Sequence, residues 1–120
     1  MSKRWMLVPL ALALWTGGVA AQDAKRESRL RTVRGTVVDK QENALPTAVV
    51  YLKNLRTLVV TTRIADDAGH YRFSGLDPNV DYEIHAEHEN LISAKRTLSS
   101  LDSRKEVVLT LKADKKKGAK

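Results

Sequence analysis

The chain has 120 residues, no cysteine and a formal net charge of +7. Without cysteine there is no disulfide, thiol catalysis or cysteine-bound zinc, so burial of apolar side chains must stabilise the fold. The excess positive charge lies towards the two ends, because residues 30–111 contain eleven basic and eleven acidic residues. A neutral central region lacks the clustered Lys and Arg of a nucleic-acid interface, and we therefore expect no nucleic-acid partner.

Residues 1–21 have the pattern of a secretory signal peptide. Lys3 and Arg4 precede an apolar run, Trp5–Trp15, and small residues follow up to Ala21. A membrane-spanning helix needs about 20 apolar residues, roughly twice the length of this run. We therefore expect cleavage after Ala21, export to the periplasm or the extracellular space, and no stable membrane insertion after cleavage.

The rest of the chain has the length of one small domain. Residues 22–29 are predicted to be a flexible N-terminal segment, and residues 30–112 the folded domain. Residues 113–120 are rich in lysine, and we predict a disordered, solvated tail there.

Residues 30–112 alternate apolar and polar side chains, with turn signals about every ten residues, a pattern typical of all-β domains. We predict an antiparallel β-sandwich of Greek-key type, because two packed sheets hide most strand edges. Its seven predicted strands are residues 30–39, 47–54, 57–65, 70–76, 82–89, 91–100 and 105–112.

The alternation also predicts which faces are buried. In the second strand Ala48, Val50 and Leu52 should point inward, because Lys53 on the opposite face must stay hydrated. In the fourth strand Tyr71 and Phe73 share a face. In the fifth strand the inward residues should be Tyr82, Ile84 and Ala86, and the outward residues Glu83, His85 and Glu87.

Two adjacent carboxylates, Asp66 and Asp67, come shortly before His70 and raise the question of a metal or acid/base site. Asp side chains also accept hydrogen bonds in turns, and Gly69 can adopt positive φ. A calcium site would need five or more oxygen ligands, and only two carboxylates are adjacent. We therefore predict that Asp66, Asp67 and Gly69 form a structural hairpin turn, and keep a metal site with His70 as the minor alternative.

Other candidate sites have weak patterns. His85 and His88 would point to opposite faces of a strand, although Glu83, His85 and Glu87 form one outward row that could bind a metal weakly. Ser99, Ser100 and Ser103 lie in a polar turn without a nucleophile elbow. We expect no catalytic residue, no cofactor and no metal ligand.

Three motifs resemble the carboxypeptidase regulatory-like domains of secreted bacterial proteins. They are a G-x-V-x-D opening, an A-x-V-x-L strand and a D-x-x-G-x-Y-x-F turn and strand. The matching residues are Gly35 and Asp39, then Ala48, Val50 and Leu52, then Asp66, Gly69, Tyr71 and Phe73. The resemblance spans residues 30–112, with departures at Ala65 and at Pro78-Asn79.

The resemblance implies a transthyretin-like or starch-binding-like sandwich in a single-domain secreted form, acting as an accessory module and not as an enzyme. In the founding examples such a module is attached to a zinc peptidase domain, whose zinc ligands are absent here, so no peptidase activity carries over.

We therefore expect a module for protein interaction or structural support. Its predicted contact surface comprises Val49, Tyr51 and Lys53, together with the loops at the strand ends. The second hypothesis is a carbohydrate-binding module, which would need another exposed aromatic residue near Tyr51. A weak metal site or a hydrolase is the third.

Overall fold

The computed structural model describes residues 29–118 and forms an all-β fold, as predicted. The strands are β1 (Arg31–Val38), β2 (Val49–Asn54), β3 (Val60–Ile64), β4 (His70–Leu76), β5 (Tyr82–His88), β6 (Leu91–Ser93), β7 (Arg96–Leu98), β8 (Glu106–Val108) and β9 (Leu111–Lys116). Within this range no helix is long and apolar enough to cross a membrane. The predicted signal peptide and residues 22–28 lie outside the described residues.

The strands form one mixed sheet in the order β3-β2-β5-β6-β9-β1-β4, with β7 paired to β5 and β8 paired to β1. The sheet folds back on itself, so that its two end strands approach each other: the guanidinium of Arg63 in β3 lies 5.6 Å from the ring centre of Phe73 in β4. The prediction of purely antiparallel pairing is wrong at β1, which pairs in parallel with both β8 and β9.

The predicted burial pattern is confirmed, and the inward side chains fill a single core between the folded halves of the sheet. The core residues are Val33, Val37, Ala48, Val50, Leu52, Ala65, Tyr71, Phe73, Leu76, Val80, Tyr82, Ile84, Ala86, Leu98, Val107, Leu111 and Ala113.

The structure has nine strands because two predicted strands are each interrupted. Residues 91–100 divide into β6 and β7, and the registers in which these two strands pair with β5 differ by one residue. This shift indicates a bulge between β6 and β7. The hydroxyl of buried Ser93 accepts a hydrogen bond from the amide of Ala86 at 2.8 Å and satisfies a backbone group at this interruption.

Residues 105–112 divide into β8 and β9 where the chain passes over Gly35. A Cβ atom at Gly35 would lie 1.8 Å from the carbonyl oxygen of Leu109, so only glycine fits. The amide of Leu109 donates to the carbonyl of Arg34 at 2.9 Å, and the hydroxyl of Tyr71 donates to the carbonyl of Leu109 at 2.6 Å. These two bonds hold the crossing in place.

The predicted turn at residues 66–69 is present, but the prediction that it joins two paired strands in a hairpin is wrong. The Asp66 carboxylate accepts the amides of Ala68 and His70, each at 2.9 Å, and Gly69 has a φ of 76°. However, β3 pairs with β2 and β4 pairs with β1, so the turn connects the two ends of the sheet. Backbone bonds on either side, to Ala48 and to Val37, direct the two strands to these different partners.

The prediction that a disordered tail begins at residue 113 places its start too early. β9 continues to Lys116, pairing with β6 at Leu91 and Ile92, and Ala113 is fully buried. The lysine content concealed this strand, because all four of its charged side chains are exposed and only Leu111 and Ala113 are buried. Residues 119 and 120 lie outside the described residues.

Replacing Gly69 with valine should destabilise the fold more than the same change at Gly75. Both glycines have positive φ, but a Cβ atom at Gly69 would lie 2.8 Å from the carbonyl oxygen of Val37, whereas Gly75 has open space. The extra steric conflict should lower the melting temperature of Gly69→Val by a further ~5 °C or more. Equal melting temperatures in calorimetry would contradict the close packing of this turn.

Replacing Tyr71 with phenylalanine should leave the Leu109 carbonyl without its side-chain donor. The loss should be about 1–3 kcal/mol of unfolding free energy, measured by urea denaturation. Burial raises the pKa of Tyr71, so its neutral form stabilises the fold below the ordinary tyrosine pKa near 10. The wild type should therefore lose its advantage over Tyr71→Phe as the pH rises above 10, and a constant difference would contradict this role.

Candidate functional site

Four apolar side chains stand out as exposed on and just before the edge strand β3. Leu58, Val59, Val60 and Ile64 have 62%, 61%, 50% and 69% of their surface exposed. We call this set the β3 strip. Among residues 29–118, β3 is one end of the sheet and pairs only with β2, so within this range its other edge keeps unpaired amide and carbonyl groups.

A side-chain-capped turn precedes the β3 strip and leaves Leu58 exposed. The side-chain oxygen of Asn54 accepts the amides of Arg56 and Thr57 at 2.9 and 3.0 Å, and its carbonyl accepts the amide of Leu58 at 2.7 Å. Leu58 has a φ of 65°, in the left-handed region. This conformation is unfavourable for leucine, and the 62% exposed side chain gains little burial in the described fold to offset the cost.

The predicted contact residues adjoin the β3 strip. Val49, Tyr51 and Lys53 are half-buried and face outward, and they pair with Ile64, Thr62 and Val60 of β3 respectively. The sheet register therefore places Val60 and Ile64 of the β3 strip on the same outer face as the predicted surface. Val59 instead lines the cleft on the inward side of the sheet.

Tyr51 is partly covered by His85, its register partner on β5. The two rings stack with centroids 4.9 Å apart and planes 11° from parallel. The Nε2 atom of His85 lies 3.2 Å from Glu87 Oε2, and Lys117 Nζ lies 2.8 Å from Glu87 Oε1. The hydrogen bond from Lys117 is the main reason that the pKa of Glu87 is lowered.

A shallow hollow of about 310 Å³ lies on this outer face. Tyr51, His85 and Val60 line it, and a charged pair, Glu83 and Lys95, lies beside them with 3.8 Å between Oε1 and Nζ. The hollow combines apolar, aromatic and charged groups, a mixture that suits side chains of a protein partner.

The residues of the two metal alternatives are occupied by other contacts. The Asp66 carboxylate binds two amides of its own turn and lies 3.9 Å from His70 Nδ1. In the outward row, Glu83 and Glu87 each pair with a lysine. In residues 29–118 no group of three His, Cys, Asp or Glu side chains is placed to hold a metal ion.

A second concave feature lies between the two ends of the sheet. This cleft of about 400 Å³ is lined by Thr61 and Arg63 of β3, by Phe73 of β4, and by the core residues Leu52 and Tyr82. Sequence reasoning missed both the cleft and the β3 strip. The available signal was the run LVV at residues 58–60, which interrupts the apolar–polar alternation.

The profile of the carboxypeptidase regulatory-like domain family matches residues 32–113. The match covers more than half of the chain, and the chain belongs to this family, which confirms the predicted resemblance. No curated protein shows a significant match to the sequence.

Solved structures with a similar fold share little sequence identity with this chain. The 3-chlorocatechol 1,2-dioxygenase of Rhodococcus opacus 1CP matches with a TM-score of 0.54 and 10% identity, over 72% of this chain and 60% of that chain. The catechol 1,2-dioxygenase of Acinetobacter sp. ADP1 matches with a TM-score of 0.51 and 12% identity, over 72% and 52%. This chain thus spans between half and two thirds of their length, and likeness at this identity concerns the fold alone.

Replacing Lys117 with glutamine should raise the pKa of Glu87 towards its ordinary value. A lowered pKa contributes stability above the unfolded value, about 4.3, and this contribution is lost as the pH falls through the folded value. Carbon-detected NMR titration of the Glu87 carboxyl would measure the shift, with Lys112→Gln as the control because Lys112 makes no ion pair among residues 29–118. An unchanged Glu87 titration would contradict the pair.

Proposed function

We propose that this chain is an exported, non-catalytic module that recognises a protein partner through the β3 strip and the adjoining outer face. The observation that carries the proposal is an edge strand whose outward residues Val60 and Ile64 are apolar and at least half exposed. Exposed apolar groups on an unpaired strand are typical of surfaces that add a strand from a partner.

The edge of β3 lacks three features that block natural sheet edges, namely a proline, a bulge and an outward-facing charge. Edges are commonly blocked by charged residues, proline or bulges. Arg63 is the one charged residue of β3, and it lies on the inward face, opposite buried Val50 and over the ring of Phe73. An extended partner segment could therefore pair with β3 and place apolar side chains beside Val60 and Ile64.

The exposed groups favour a protein over a carbohydrate partner. Sugar stacking uses open ring faces, and His85 covers one face of Tyr51. The other aromatic residues within 29–118, Tyr71, Phe73 and Tyr82, are buried in the core. The apolar contribution to the surface is instead aliphatic, which suits contact with aliphatic and aromatic side chains of a protein.

Family membership supports a non-catalytic role, because the resemblance implies an accessory module and not a chemical centre. The described side chains agree with this reading, since the carboxylates and histidine of the outer face pair with neighbours within the same surface. Export remains a proposal based on the N-terminal sequence pattern.

Introducing one charge into the β3 strip should abolish partner binding without unfolding the chain. Ile64→Lys and Val60→Lys place lysine on exposed positions of the edge, where natural proteins use it to block strand addition. The matched control is Val108→Lys, because Val108 is also an exposed strand valine, at 54%, but lies on β8. Melting temperatures of all three variants should stay within ~3 °C of wild type.

The measurement is site-specific photo-crosslinking in the producing cells, with the crosslinker at Ile64 or at Val108, followed by mass spectrometry. We expect a discrete protein adduct from position 64 that falls at least ~10-fold when Val60→Lys is added. An adduct with a second copy of the chain would identify the partner as the chain itself. Equal adducts from positions 64 and 108, or glycan-array binding that is lost only in Tyr51→Ala, would overturn the proposal.

A further inference from the structure

Arg31, the first residue of β1, is an almost completely buried cation with 3% of its surface exposed. Its Nε donates to the carbonyl of Arg104 at 3.0 Å, and its Nη1 donates to the carbonyl of Ser99 at 2.8 Å. Its Nη2 is buried and has no hydrogen-bond partner among residues 29–118. Buried side-chain donors are normally satisfied, so this group requires an explanation.

No carboxylate in the described part of the chain, residues 29–118, contacts the Arg31 guanidinium directly. The nearest acidic residue in the loop before β8 is Asp102, and its carboxylate is engaged by Arg104, with 2.6 Å between Oδ2 and Nη2 and 3.0 Å between Oδ1 and Nε. Within residues 29–118 Arg31 itself joins no ion pair. The charge of Arg31 is the smallest of the causes that lower the pKa of Asp102, so Asp102 balances the buried cation only weakly and the site is attractive to an anion.

Arg31 lines a pocket of about 360 Å³, which we call the Arg31 pocket. Its lining also includes the cationic residues Arg29 and Lys105 and the hydroxyl-bearing residues Ser100 and Ser103. Because Asp102 and Arg104 neutralise each other, the remaining charge of the lining is positive. The pocket thus combines an anchored guanidinium, exposed surface cations and hydroxyl donors.

We propose that the Arg31 pocket binds an oxyanion group, a carboxylate or a phosphate, with the Arg31 guanidinium as its anchor. A guanidinium presents donors in a rigid planar fork that matches the paired oxygens of these groups. Arg31 is already oriented by two backbone carbonyls, and its buried Nη2 keeps a donor without a partner among residues 29–118. The exposed lining side chains would have to move for an oxyanion to reach this donor. Lys105 and the two serines would supply the remaining contacts.

The Arg31 pocket is independent of the surface proposed for protein recognition. It shares no residue with the β3 strip or with the hollow at Tyr51. The two proposals can therefore fail separately, and variants in one site should leave the other unchanged.

The test is an NMR titration of the full chain that follows the Arg31 Nε–Hε signal. Sodium phosphate and sodium acetate are added separately at constant ionic strength and pH 7, with sodium chloride as the reference. We expect a saturable shift of this signal with one of the two oxyanions and no saturation with chloride. Saturation with phosphate alone would identify a phosphorylated ligand class, and saturation with acetate would identify a carboxylate.

Lys105→Ala should weaken the oxyanion affinity by at least ~3-fold, because it removes a cation from the pocket lining. The matched control is Lys40→Ala, which removes the same charge from an exposed turn outside the pocket. Both residues are exposed, so both variants should fold. A shift that does not saturate with either oxyanion, or equal weakening in the two variants, would overturn the proposal.

Discussion

The carbonyl of Leu109 lies against Gly35, and the arrangement of the sheet depends on the missing side chain at that position. Because the chain can approach the face of β1 closely there, β8 pairs with the first half of β1 and β9 with the second half along the same edge. The hydroxyl of Tyr71, on the register partner of Gly35, then satisfies the carbonyl inside the core. One glycine thus allows a single strand to be covered on the same side by two segments of the chain.

Both edges of β1 are therefore occupied, one by β4 and the other by β8 and β9. Because β9 also pairs with β6, the two halves of the fold join into one sheet. The remaining ends, β3 and β4, approach each other without pairing, because the turn at Asp66 directs them to different partners. The same topology that completes the core therefore leaves one apolar edge exposed. The exposure of Val60 and Ile64 follows from this position in the sheet, and it is the physical basis of the proposed recognition surface.

Three buried or largely buried polar side chains stabilise the places where the backbone leaves regular pairing. Ser93 satisfies the Ala86 amide at the β6–β7 interruption, and Tyr71 satisfies the Leu109 carbonyl at the β8–β9 crossing. Arg31 binds two carbonyls of the loop that leads into β8. Ser93 and Tyr71 are satisfied by these contacts, whereas Arg31 keeps one buried donor without a partner. That difference separates a structural role from a candidate ligand site.

The sequence by itself determined the all-β class, the inward faces of β2, β4 and β5, and the turn at Asp66 and Gly69, because alternation and turn chemistry depend on neighbouring residues. It also placed Val49, Tyr51 and Lys53 on the outer face. Only the tertiary structure decided that β3 is an edge, that β8 and β9 run parallel to β1, and that Arg31 is buried. The reason is that strands pair through backbone groups that every residue but proline shares, between segments far apart in the chain. A period-two pattern therefore specifies which face is buried but not which strand lies beside it.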